Sequence, residues 1–177
     1  MQYTHAYTSP LGGITLASDG EKLTGLWFNG QKYFGAALAR DSRAGELPVF
    51  EETARWLDIY FAGGIPEFTP PLGLNGSPFR RAVWEMLLEI PYGHMTTYGE
   101  IAKKMALREG RTSMSAQAVG GAVGHNPISV IVPCHRVVGT NGSLTGYAGG
   151  IDKKIRLLTL EKADMQHLFI PRKGTAL

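Results

Sequence analysis

The chain has 177 residues, 44% apolar and 19% charged, with a formal net charge of +3. This is globular composition with enough length for one sizeable core or two small domains, and no run of about 18 apolar residues is present to span a membrane. The single cysteine excludes an internal disulfide, a CxxC redox pair and a multi-cysteine zinc site, and the N-terminus lacks the layout of a signal peptide, so a cytoplasmic protein is expected.

In chain order, "QYTHAYT" and "GGITLAS" flank the turn signal "SPLGG". "SDGEKLTGLWF" then adds a tight turn and a third strand, which predicts a small antiparallel sheet. "PVFEETARWLDIYFAG" predicts a helix that covers one face of that sheet, with Phe50, Ala54, Leu57 and Phe61 at helical spacing. Trp27 and Trp56 read as core. The Pro- and Gly-rich "GGIPEFTPPLGLNGSPF" places a domain boundary near residues 70–77, giving a scaffold domain over 1–72 and a second domain over 77–177.

The second domain reads as mostly helical. "SPFRRAVWEMLLEIPYG" is capped by Ser77, has Pro78 at its first position and carries a stripe of Phe79, Val83, Met86 or Leu87, and Ile90. "TYGEIAKKMAL" starts after Thr97 and buries Ile101 and Met105. "SAQAVGGAVG" follows a basic connection, "REGRTSM", and is built almost entirely of small residues around Gln117. Two readings fit this pair: tight packing against a neighbouring helix, or a helix-turn-helix whose second helix lets another surface approach closely. The charge balance bears on the choice. Residues 1–76 carry five Lys/Arg against eight Asp/Glu, and residues 77–177 thirteen against seven. A basic second half suits a nucleic-acid footprint as well as an ordinary solvated surface. The last helix, "GGIDKKIRLLTLEKAD", turns Ile151, Ile155 and Leu158 inward and sets Glu161 within the apolar arc, where a carboxylate needs a histidine or a cation.

"NPISVIVPCHRVVG" holds the single cysteine. "SVIV" reads as a buried strand ended by Pro133, and a lone cysteine after such a run is most often a small buried hydrophobe. His135 beside it offers the alternative of a thiol activated by a base, with Glu161 holding the imidazole as the carboxylate of a catalytic triad does. Neighbouring side chains of an extended chain diverge, so the Cys134–His135 link needs a turn or a bridging water.

"NPISVIVPCHRVVG", "GYAGG" and "LLTLEKA", with "SPFRRAVWEMLLEIPYGHMTTYGEIA" and "AVGGAVGHNP", closely resemble the O6-alkylguanine-DNA alkyltransferases, also called methylated-DNA–protein-cysteine methyltransferases. The resemblance covers the C-terminal 100 residues or so closely and the N-terminal part only in layout. It implies an α/β (α+β) fold: an RNase H-like N-terminal domain and a helical C-terminal domain with a helix-turn-helix. It implies irreversible, stoichiometric transfer of an alkyl group from O6-alkylguanine, and also O4-alkylthymine, in double-stranded DNA to Cys134. His135 would deprotonate Cys134 through a water and Glu161 would orient His135. Asn126 corresponds to a hinge asparagine, Tyr98 to a tyrosine that helps rotate the nucleotide, and Tyr147 to a pocket wall. Backbone groups at Cys134, Val137 and Ala148 would read the guanine edge. Lys154 matches a lysine near the site, with pairing to Glu161 an equal alternative.

The resemblance further implies minor-groove docking with base flipping by a monomer, and no cofactor. Zinc-binding members use N-terminal cysteines that this chain lacks, so no metal is expected. Two departures stand out: Gln117 occupies the position of an intercalating arginine, which Arg111 could supplement, and the connection "ALREGRTSMS" is longer than in compact members. A sensor that binds alkyl lesions without chemistry is the alternative, and the presence of Cys134 argues against it. Arg136 is left without a catalytic role, a structural salt bridge being its expected use.

Overall fold

The computed structural model describes residues 1–172. Strands β1 (Tyr3–Ser9), β2 (Gly12–Ser18) and β3 (Leu23–Phe28) pair antiparallel, and β3 is buried along its whole length. A fourth, two-residue strand, β4 (Arg43–Ala44), lies parallel beside β1 and gives the order β3-β2-β1-β4. It has no hydrophobic pattern, so nothing in the sequence marks it. Helix α1 (Pro48–Phe61) packs across β1, β2 and β3. Its buried arc is Val49, Phe50, Thr53, Trp56, Leu57 and Tyr60, rotated from the expected Phe50, Ala54, Leu57 and Phe61. The stacked rings of Trp56 and Tyr60 bury far more area than Ala54 could, and Thr53 satisfies its hydroxyl on the Val49 carbonyl at 2.7 Å.

The chain forms two compact units, and the first is not a simple N-terminal piece. It comprises Met1–Asn75 and also Pro127–Ile131, so the expected division, with all of 77–177 in one domain, is corrected by a five-residue excursion. The reason is the outer edge of β3, whose free amide and carbonyl groups need partners. Leu23 pairs there with Pro71 and Gly73, and farther along Leu26 donates to the Pro127 carbonyl and accepts from the Ser129 amide, both at 2.9 Å. The expected strand "SVIV" is therefore not formed. The chain makes one parallel bridge at Ile128 and then turns, with Val130 at φ +71°, a conformation a β-branched residue rarely adopts.

The second unit contains α2 (Pro78–Leu88), β5 (Thr96–Thr97), α3 (Tyr98–Arg108), α4 (Ala116–Gly124), a 3₁₀ turn (Cys134–Arg136), β6 (Val137–Val138) parallel to β5, and α5 (Ile151–Leu160). Ser77, Thr97 and Ser115 cap α2, α3 and α4 by accepting backbone amides at 3.1–3.2 Å. In α2 the buried residues are Val83, Trp84 and Leu87, while Phe79, Met86 and Ile90 stay half-buried. Trp84 wins its place through its indole N–H, which donates to the Ala122 carbonyl at 2.8 Å and fixes α2 to α4. In α5, Lys154 is buried with Leu157 and Leu158, whereas Ile151 and Ile155 are half-buried. No helix among the described residues is long and apolar enough to cross a membrane.

Candidate active site

Cys134 opens the 3₁₀ turn, so the backbone at Cys134 and His135 is turned rather than extended. Its amide donates to the Val132 carbonyl at 2.8 Å, and the residue is only 5% exposed. Asn126 Nδ2 donates to the same Val132 carbonyl at 2.8 Å. This bond joins the two ends of the excursion where the chain leaves and re-enters the second unit.

His135 is fully buried, and its Nε2 lies 2.7 Å from Oε1 of Glu161. Glu161 follows the last turn of α5 and has both partners its position demands. Arg136 donates from Nε to Oε2 and from Nη2 to Oε1, each at 2.9 Å. The Gly93 amide donates to Oε2 at 3.2 Å. Gly93 has φ +75°, and a Cβ there would meet the Glu161 carbonyl oxygen at 3.0 Å, so glycine fits this bend twice over. Arg136 Nη1 donates to the Ile90 carbonyl at 2.6 Å, and the guanidinium lies 5.8 Å from the Tyr92 ring centroid. The "IPYG" segment thus does more than end α2. The salt bridge expected of Arg136 is formed, with Glu161 as its partner, and Gly93 is what the sequence reading missed.

The electrostatics follow from burial and these partners. Burial raises the Glu161 pKa, but the bonds and charges of His135 and Arg136 outweigh it and hold the carboxyl well below the usual range. With Glu161 ionised, the imidazole donates from Nε2, which leaves Nδ1 with its lone pair; Nδ1 is buried and has no hydrogen-bond partner among the described residues. Burial, Arg136 and Lys154 depress the His135 pKa against the pull of Glu161, so the ring is neutral at pH 7. Burial pushes the Cys134 thiol up, opposed by an Asn126 hydrogen bond and the Lys154 charge. The resting pair is thus a thiol and a neutral base, a set suited to generating a thiolate on demand.

The remaining expected residues divide between this site and α4. Lys154 does not pair with Glu161. Its ammonium donates to the carbonyls of Val137 and, at 2.8 Å, Thr145. Tyr98 is buried, with its hydroxyl donating to the carbonyls of Thr145 at 3.2 Å and Gly146 at 3.4 Å. Tyr147 presents its ring edge-on to His135, with centroids 6.4 Å apart. Val137 lies in β6 beside Thr96, and Ala148 is half-buried in the loop before α5. Gln117 is separate from this cluster, exposed in the first turn of α4. Arg111, in the preceding connection, is exposed and 3.6 Å from the Glu109 carboxylate. The outer face of α4 is Gln117, Ala118 and Gly121, and a Cβ built at Gly121 would meet nothing within 4 Å. Internal packing therefore does not explain why this face is small. No group of three or more His, Cys, Asp or Glu among the described residues could hold a metal ion.

Residues 2–74 match the family described as the 6-O-methylguanine DNA methyltransferase ribonuclease-like domain, and residues 78–163 its DNA-binding domain. The methylated-DNA–protein-cysteine methyltransferase of Mycobacterium leprae is 44% identical over 92% of this chain and 93% of its own length. That of Haemophilus influenzae is 41% identical over 92% and 87%. The crystal structure of Mycobacterium tuberculosis OGT in complex with DNA superposes with a TM-score of 0.78 at 43% identity, covering 90% of this chain and 92% of that one. The two family matches together span both halves of the sequence, and the chain belongs to the 6-O-methylguanine DNA methyltransferase family.

Proposed function

We propose that the protein repairs alkylated DNA by transferring the alkyl group of O6-alkylguanine irreversibly to Sγ of Cys134, once per molecule. The observation that carries this is the cluster itself: a sheltered thiol followed by a buried, neutral histidine whose Nε2 is tied to Glu161 and whose Nδ1 is left to accept a proton. His135 takes the thiol proton through a water. The thiolate attacks the alkyl carbon, an S–C bond forms, and the C–O6 bond breaks with its electron pair staying on guanine. Tyr98 donates a proton to the departing base; burial raises its pKa, so the phenol carries that proton at physiological pH. The product is a thioether, whose S–C bond thiol exchange does not cleave, which makes the reaction single-turnover.

The alkyl group lies within the base stack, so the nucleotide must be turned out into the pocket walled by Tyr147. The small outer face of α4 supports docking in the minor groove, with Gln117 entering the space the base vacates. Asn126 links that helix to the turn bearing Cys134. The Cys134, Val137 and Ala148 backbone groups line the guanine edge, and Lys154 fixes the Val137 carbonyl in place. One chain supplies the whole site, which supports action as a monomer, and the transferred group comes with the substrate, so no cofactor enters.

Incubation with a duplex carrying O6-methylguanine should add the mass of one methyl group to the intact protein, mapped to the Cys134 peptide. Cys134→Ser should bind the duplex and gain nothing. Tight lesion binding by the wild type with no mass change would instead identify a lesion sensor.

A further inference from the structure

Arg136 has no part in the transfer chemistry proposed above, and as a salt bridge it would need only to hold the turn to α5. The sharing of one oxygen says more. Oε1 of Glu161 accepts from both His135 Nε2 and Arg136 Nη2, while Oε2 accepts from Arg136 Nε. In a hydrolytic triad the carboxylate charge is available to stabilise an imidazolium. Here a guanidinium already compensates that charge on both oxygens, in a setting where His135 and Glu161 have fully buried side chains.

We propose that Arg136 is a positioning residue for the transfer: by gripping both oxygens of Glu161 it keeps His135 neutral, with Nδ1 open to the Cys134 proton. The groups facing the imidazole are consistent with this assignment. Glu161 draws a proton toward the ring, and Arg136 from the same turn and Lys154 from α5 oppose it. Tyr147 presents its ring to His135, and Tyr92 covers Arg136. Without Arg136 the uncompensated carboxylate would be satisfied by a proton shared with His135, and the base would be occupied before substrate arrives.

This inference rests on the transfer reading for its purpose, but its test does not need DNA. The imidazole of His135 is followed by NMR against pH in the wild type, in Arg136→Lys and in Arg136→Met. Arg136→Met should take up the His135–Glu161 proton at a pH higher by about one unit or more. Arg136→Lys retains the charge but cannot span both oxygens and should move the same way by roughly half a unit. The acid limb of the transfer rate should move with each, costing about tenfold in rate per unit of displacement on that limb. Where Arg136→Met fails to fold, Arg136→Lys decides. A His135 titration unchanged from wild type, in a variant that is merely less stable, would overturn the proposal and leave a structural salt bridge.

Discussion

Lys154 shows how an ionised side chain can be held inside a small domain, and at what cost. The residue is 0% exposed, and burial lowers its pKa from 10.5 to about 8. Between those values the unfolded chain binds a proton that the folded chain has released. Folding stability from this group therefore rises as pH increases from about 8 to 10.5; below about 8 both states are protonated and the burial cost is present in full. Tyr7 and Tyr98, whose phenol pKa values are raised, act in the opposite sense at high pH, so the comparison must be made against Lys154→Met. Urea unfolding at about pH 7 and about pH 10 should show the wild type gaining on that variant by up to about 3 kcal/mol. The sequence made Cys134, His135 and Glu161 legible, because a carboxylate on an apolar arc and a histidine beside a thiol each demand a partner. It could not reveal that Lys154 would be satisfied by the Val137 and Thr145 carbonyls, since main-chain acceptors leave no trace in residue identity.

Helix α4 sets the next scale. Val119 and Val123, four residues apart, mark its inner face by spacing; that Gly120 and Ala122 are buried with them, and that the outer face opens onto free space at Gly121, only the structure shows. A mid-helix glycine facing open space is a stability defect with no internal compensation. Gly121→Ala should therefore raise stability by about 0.5–1 kcal/mol in denaturant unfolding. If the duplex docks on this face as proposed, the same methyl group should weaken duplex binding in a fluorescence titration. Tighter binding by Gly121→Ala would refute docking through this face. The misreading of "SVIV" belongs to this scale as well. A short apolar β-branched run looks the same whether it is a strand or a buried turn, and the left-handed Val130 that decides the matter is invisible to periodicity.

Across the whole molecule, the two halves were legible from the Pro- and Gly-rich boundary, but the return of 127–131 to the first unit was not. That pairing is made by backbone groups on the edge of β3, separated by about a hundred residues from the segment that covers them, and pattern reading is local. Ile128 is fully buried. Ile128→Ala should cost about 2–5 kcal/mol, and hydrogen exchange should report the loss at the Leu23–Phe28 amides rather than only around the substituted residue. Exchange confined to the neighbourhood of residue 128 would mean the bridge contributes little to the sheet.

The same stitch gives the chain a timetable. A ribosome that has just released Phe28 must add about a hundred residues, roughly five to twenty seconds at ordinary elongation rates, before Ile128 exists to close the edge of β3. Through that interval the nascent sheet carries an open flank, vulnerable to pairing with another chain, and the N-terminal unit cannot finish until α4 has been made. Folding of the scaffold is thus scheduled by the arrival of the segment immediately before the reactive turn, and a message truncated before that point would leave a scaffold with an uncapped edge.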